Sequence, residues 1–302
     1  EFWTIGQTID FLRSDSEDIP EDFYDVFVVD PSHRPVGTVP LSRIMRSNRP
    51  VSIGDIMDKD PYLIDANADQ EEVAYQFTKY HLISASVVDE AQRLVGVITV
   101  DDVVDVIEEE AEEDILALAG VSDESGVNEG FIEIVKGRFL WLFVNLATAV
   151  LASYVILQFE ATIKQLVALA VLMPIVASMG GNAGTQTMTV AVRALATKEL
   201  SSTNALRVMN RELMAAILNG VMLAATSGLV VWLWFSNALL GAVFATAMVF
   251  NIFVAGLCGL LVPMGLQKAN IDPAIASSVF VTTITDVVGF FVFLGLAAMF
   301  II

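Results

Sequence analysis

The chain has 302 residues, 55% of them hydrophobic, with a formal net charge of −20 and a mean hydropathy of +0.64. That balance is too apolar for an ordinary soluble protein of this length, so part of the chain belongs in a membrane. The concentrated negative charge argues against nucleic acid and anionic lipid surfaces as partners of the charged part and favours cations; one cysteine, Cys258, rules out a disulfide framework within the chain.

The charge is unevenly placed. Residues 1–136 hold 31 of the 36 acids and 9 of the 16 bases, leaving 5 acids and 7 bases for the rest. An acidic soluble part is therefore joined near Lys136 to a nearly uncharged membrane part.

In the acidic part, VVDPSHRPVGTVPLSRI from Val28 is echoed 59 positions later by VVDEAQRLVGVITVDDV from Val87. Each copy reads as a strand ending in Asp30 or Asp89, a turn carrying Arg34 or Arg93, a second strand and a helix. A short helical pattern precedes each, TIDFLRSD from Thr8 and DQEEVAYQFTKYH from Asp69. The doubled β-α-β-β-α unit resembles a tandem CBS-domain pair, with the first copy truncated at its start. Such pairs bind adenine nucleotides, and the resemblance puts Asp102 of GVITVDD at a ribose. Pro40, Leu41 and Ser42 occupy that place in the first copy, so at best one cleft reads as competent for ATP.

DDVVDVIEEEAEEDILALAG follows from Asp101, with apolar residues at helical spacing and eight acids between Asp101 and Glu113 without a base. Two readings stand here: a solvated acidic face, or a clamp whose hard carboxylate oxygens suit Mg2+ or Ca2+. No EF-hand loop is present, so a cation site would draw on separate segments. His33 and His81 read as surface residues, since a hard cation prefers oxygen. VSDESGVNEG from Val121 reads as a linker and FIEIVKGRF from Phe131 as an amphipathic connector.

Five apolar runs follow, at 139–159, 165–196, 212–235, 238–266 and 274–301, each long enough for about 30 Å of hydrocarbon. Lys136, Arg138, Arg193, Lys198, Arg207, Arg211 and Lys268 cluster on one side of them. The positive-inside rule therefore puts the acidic domain in the cytoplasm and the C-terminus outside. In the second run Pro174, Gly180, Gly181 and Gly184 predict a broken helix beside Asn182, Thr185, Gln186 and Thr187. Broken backbone at that depth needs protein or a wet cavity around it; the alternative is close helix packing through small residues. Asp286 lies deep in the last run, where an ionised carboxylate needs water, a cation or a partner.

The pattern P-x-x-x-S-x-G-G-N-A-G-x-Q from Pro174 to Gln186, with V-R-A-L-A at Val192 to Ala196 and T-x-x-D-x-x-G at Thr283 to Gly289, resembles the MgtE family of magnesium transporters and channels. The order of CBS pair, connecting helix and five spans is that family's order, and the likeness covers essentially the whole chain. The fold class implied is an α+β cytoplasmic CBS pair followed by an all-α membrane domain of five transmembrane helices. Its parts are a first CBS copy at 1–52, a second copy with the acidic helix at 53–114, a connecting (plug) helix region at 115–137 and the pore domain at 138–302. The family's usual acidic helical domain has no counterpart before the pair, and the chain opens at Glu1 without methionine, so it is expected to be trimmed.

The resemblance implies a homodimer in the cell membrane that takes up Mg2+ through a central pore, and no enzymatic activity. It implies Asp286 as the pore carboxylate, with Thr282, Gly181, Asn182 and Gln186 lining the path. It also implies a regulatory Mg2+ held by Asp69, Glu71, Asp102, Asp105, Glu110, Glu113 and Asp114, screening their repulsion and keeping the pore shut. A cation-coupled exchanger of divalent ions and a membrane-anchored nucleotide sensor are the other readings. No nucleophile and base pair occurs in the spans to suggest an enzyme.

Overall fold

Two copies of one hairpin organise the first part of the chain. Strand β1 (Asp25–Val29) pairs antiparallel with β2 (Pro35–Pro40), and β4 (Ser84–Val88) with β5 (Leu94–Thr99). The register slips at Val28/Val29 in one and at Val87/Val88 in the other, 59 positions on. The same side chain shapes each turn: Asp30 accepts from the N–H groups of Ser32 and Arg34, Asp89 from those of Ala91 and Arg93. His33 and Gln92 then take matching left-handed conformations, φ 64° and 61°. Helices α1 (Ile5–Leu12), α2 (Leu41–Arg46) and α3 (Ile53–Ile56) surround the first hairpin, and Ile5, Val28, Val39, Ile44 and Ile53 form its core. In the second copy β3 (Leu63–Asp65) runs parallel to β4, and α4 (Gln70–Tyr80) packs Val73, Ala74 and Phe77 onto Ile64, Ala85 and Val103. Ser84 Oγ donates to Asp25 at 2.5 Å, joining the first residues of β1 and β4, which are equivalent positions of the repeat.

This is a computed structural model; it describes residues 2–14, 23–121, 130–201 and 203–302. Its contacts divide the chain into two units, Glu1–Ala111 and Glu112–Ile302. The boundary falls inside helix α5 (Val100–Leu118), the acidic helix, so α5 belongs to both units. Most of the expected linker, 122–129, lies outside the described residues. The first helix corrects the reading from Thr8: it starts three residues earlier, at Ile5, because Thr4 and Gln7 form a reciprocal cap.

Arg93 tests the second turn. Its N–H bonds Asp89, and its guanidinium lies 2.7 Å from the same carboxylate, which together hold that carboxyl below the usual range. A carboxyl with a depressed pKa in the folded state stabilises that state above its unfolded pKa, and the contribution disappears as pH falls through the folded value. Asp89→Asn is therefore expected to weaken this copy at pH 7. The deficit relative to wild type should shrink below about pH 4, as read by hydrogen exchange of the β4–β5 amides.

The second unit has five helices long and apolar enough to cross a membrane. They are α6 (Phe131–Gln158), α8 (Ala168–Ala196), α9 (Ala205–Phe235), α10 (Ala238–Lys268) and α11 (Pro273–Phe300), with short α7 (Glu160–Gln165) after the first. Their lengths exceed the roughly 20 residues a bilayer needs. α10 is central, packing against α8, α9 and α11, with Phe244, Met248 and Ile252 buried against Leu169, Leu172, Phe293 and Leu294. α6 lies against α11 with only Ala152 of its residues buried.

Three expectations are corrected here. The connector from Phe131 and the first span are one helix, α6, and the expected third span begins inside α9, which starts at Ala205. The second span is not broken: α8 runs continuously through Pro174, Gly180, Gly181 and Gly184. Glycine and proline interrupt helices in water because water takes up the freed backbone groups; hydrocarbon offers none, so the helix persists. Several glycines instead permit close approach. A Cβ at Gly184 would lie 2.6 Å from Val281 Cγ1, and one at Gly259 2.9 Å from the Gly184 carbonyl.

Candidate functional site

Helix α8 separates its residues into two faces. Leu172, Val176, Gly180, Gly184, Met188, Ala191, Val192 and Leu195 are buried in the unit. Ser178, Asn182, Thr185, Gln186 and Thr189, at helical spacing, are exposed, and Gly181 beside them has open space where a Cβ would stand. A stripe of amides and hydroxyls at hydrocarbon depth is unfavourable against lipid. It calls for a second protein surface or a water-filled path.

Helix α11 carries Asp286 near its middle, about 20 Å along the axis from Pro273 at 1.5 Å per residue. Asp286 is half-buried and has no hydrogen-bond or ion-pair partner among the described residues. The hydroxyls around it donate to their own helix: Thr282 to the Ser278 carbonyl at 2.9 Å, Thr283 to that of Val279 at 2.6 Å, Thr285 to that of Thr282 at 2.9 Å. With their hydrogens so committed, their remaining lone pairs suit a cation. The main-chain carbonyl of Thr282, by contrast, is already engaged by Thr285. α8 and α11 are neighbours: Gly184 meets Val281 and, at 3.7 Å from its ideal Cβ, Thr285 Cγ2.

The acidic candidates are not gathered. Asp69 caps α4 and accepts from the N–H of Glu71. Gln70 Nε2 donates to Glu110 at 2.8 Å, which brings the start of α4 beside α5; Asp69 and Glu71 are the neighbours of Gln70 in the chain. Asp102 accepts from both the N–H and the hydroxyl of Thr99, at 3.0 and 2.9 Å, closing the N-terminus of α5. Asp102 and Asp105 lie away from Glu110, eight residues or about 12 Å along the helix for Asp102, and Glu113 and Asp114 belong to the second unit. Among the described residues no three His, Cys, Asp or Glu side chains come together as a metal site. His33 and His81 are turn residues with positive φ, His81 ending α4.

Two features escaped the sequence reading. One is Asn251, fully buried on α10 between α8 and α11; a lone amide in an apolar run was its only signal. The other is the last turn of α5. Ala117 packs with Met188, Val192, Ala274 and Val281, and Leu118 and Val262 border the cluster. Gly120, φ 71°, closes that turn as its N–H bonds the Ala117 carbonyl and that of Val121 the Leu116 carbonyl. The helix of carboxylates therefore ends against the helices that carry the candidate ion path.

A paired CBS repeat followed by five helices long and apolar enough to cross a membrane defines a polytopic membrane protein with an attached α+β module. Residues 173–296 match the family MgtE, described as a divalent cation transporter, and 53–109 match the CBS domain. The chain is 33% identical over 290 residues to the magnesium transporter MgtE of Enterococcus faecalis, covering 96% of this chain and 64% of that protein. It is 32% identical to the Bacillus subtilis magnesium transporter MgtE, covering 100% and 66%, and 33% to that of Thermus thermophilus, covering 98% and 66%. The chain belongs to the MgtE family, and it spans slightly less than two thirds of the length of these relatives.

Proposed function

We propose that this protein is a Mg2+ channel of the cell membrane, a homodimer whose acidic module lies in the cytoplasm and closes the pore when cytoplasmic Mg2+ is plentiful. The observation that carries this reading is the pair of neighbouring helices α8 and α11, one with an exposed polar stripe and the other with an unpartnered carboxylate at membrane depth. Mg2+ gives up its water reluctantly, so Asp286, Asn182, Gln186 and Thr282 would meet a hydrated ion through its shell, selecting by field and hydration geometry.

The carboxylates are chemically fit for regulatory Mg2+: they are hard oxygen donors, and the Gln70–Glu110 bond holds Glu110 beside the start of α4, where Asp69 and Glu71 flank Gln70 in sequence. Asp102, Asp105, Glu113 and Asp114 complete the proposed set from elsewhere on α5. With a cation bound, their mutual repulsion is screened and the last turn of α5 stays seated on α8, α10 and α11. Without it, like charges along α5 work against that seat. An adenine nucleotide such as ATP in the CBS cleft, with Asp102 at its ribose, is a secondary reading that rests on the CBS resemblance alone.

Single-channel recording in planar bilayers, with Mg2+ varied on the side of the acidic module, tests the channel reading. Unitary currents that close as Mg2+ rises on that side are expected. Flux without unitary current would assign the protein to the exchangers instead.

A further inference from the structure

Asn251 is an amide inside the membrane unit with 0% of its surface exposed. Its Nδ2 donates to the main-chain carbonyl of Val176 on α8 at 2.9 Å, and its Oδ1 has no partner. It fits only because both facing residues are glycine. A Cβ at Gly180 of α8 would stand 2.2 Å from Nδ2, and one at Gly289 of α11 2.7 Å from the same atom. One side chain of α10 thus occupies the places of two missing methyl groups on the two helices that carry the candidate ion path.

The positions of those glycines give the contact its meaning. Gly180 directly precedes Gly181 and Asn182, where the polar stripe of α8 continues, and Gly289 lies one turn beyond Asp286. An amide whose carbonyl is left unpaired is a poor choice for packing alone, because an aliphatic residue of the same shape would fill the site without a buried unsatisfied acceptor. A buried polar group kept against stability is best attested as a device that fixes register.

We propose that Asn251 is a positioning residue: wedged between Gly180 and Gly289 and tied to Val176, it fixes the spacing and register of α8 and α11, and so the distance at which Asn182, Gln186 and Asp286 meet an ion. The transport part of this inference rests on the pore reading above. A path of fixed spacing favours an ion with a rigid octahedral shell over one with a flexible shell, so the property set by Asn251 is discrimination between Mg2+ and Ca2+.

Asn251→Leu keeps the branched shape and removes the donor. In proteoliposomes it is expected to lower the Mg2+-to-Ca2+ flux ratio by roughly 10- to 100-fold, the range seen when a group that orients an ion's contacts is lost. Amides 177–186 of α8 and 282–290 of α11 should also exchange at least about tenfold faster than in wild type. Gly289→Ala, which pushes the amide out from the other side, should reproduce both effects. A pure packing role predicts that the isosteric leucine preserves the flux ratio and the exchange protection; either result overturns the proposal. Should leucine prevent folding, Asn251→Ala is judged by the same two readouts. Wild-type protein that passes no divalent ion, or Asp286→Ala with undiminished flux, would refute the pore reading itself, and the exchange measurement then decides the positioning claim alone.

Discussion

Asp286→Ala is expected to abolish Mg2+ flux into proteoliposomes, by on the order of 100-fold or more, while the protein remains folded. The size follows from removing the carboxylate whose field attracts the hydrated ion; losing one member of a buried charge pair costs about 2–5 kcal/mol, and a half-buried, water-mediated contact belongs at the lower end of that range. The expectation for stability runs in the opposite direction. Asp286 is half-buried at membrane depth with no partner among the described residues, so replacing it removes a desolvation cost and no described internal bond. The alanine variant should therefore melt no lower than wild type in detergent. A carboxylate present for structure would give the converse, a clear loss of thermal stability with flux retained, and that pair of results would sink the assignment. Asp286→Asn separates charge from shape: if the field of the carboxylate attracts the ion, asparagine should fail nearly as fully as alanine.

On the proposed channel reading, joint replacement of Glu110, Glu113 and Asp114 by Gln, Gln and Asn should leave the protein conducting at millimolar Mg2+ on the side of the acidic module. A rise of roughly 5- to 150-fold in the half-inhibiting concentration is the scale of ordinary coupling between a ligand site and a two-state element. The choice of residues follows from their place. Glu110 is held by Gln70 at the start of α4, while Glu113 and Asp114 sit about one turn before Ala117, the residue seated against α8 and α11. Flux at very low Mg2+ should match wild type, because none of the three lies on the proposed ion path. Unchanged Mg2+ inhibition in this variant would refute the sensor.

Particular residues show what was readable beforehand. Asp30 and Asp89 announce the repeat because an Asx turn needs a short carboxylate at that one place, and the structure uses both alike. The five spans were readable because hydropathy over some 20 residues is a sum, insensitive to any single position. Gly180 and Gly184 suggest a break at membrane depth, but α8 is continuous through both, because no water there competes for the backbone. Asn251 was overlooked for a related reason: its partners Gly180 and Gly289 lie on other helices, far away in the chain, and only packing brings the three together. The capping role of Asp102 was local and open to inference from Thr99 three residues earlier, yet its place at the end of a strand suggested a ligand instead. The carboxylate set of α4 and α5 shows a further limit, because spacing along a helix says which acids repel but not which ones converge.

The seat of the last turn of α5 sets an energy scale. Its buried member is alanine, with Leu116 and Leu118 only partly covered, so the apolar area that turn contributes is worth about 1.5–3 kcal/mol, on the scale of one buried leucine. Like-charge neighbours such as Glu108 and Glu112, Glu109 and Glu113, and Glu110 and Asp114 each destabilise the helix that carries it by roughly 0.2–0.5 kcal/mol. The two totals are of the same order. On the proposed gating, a latch this shallow, loaded by a spring of comparable strength, would stand close to its tipping point, and a modest change in ion occupancy would be enough to release or reset it.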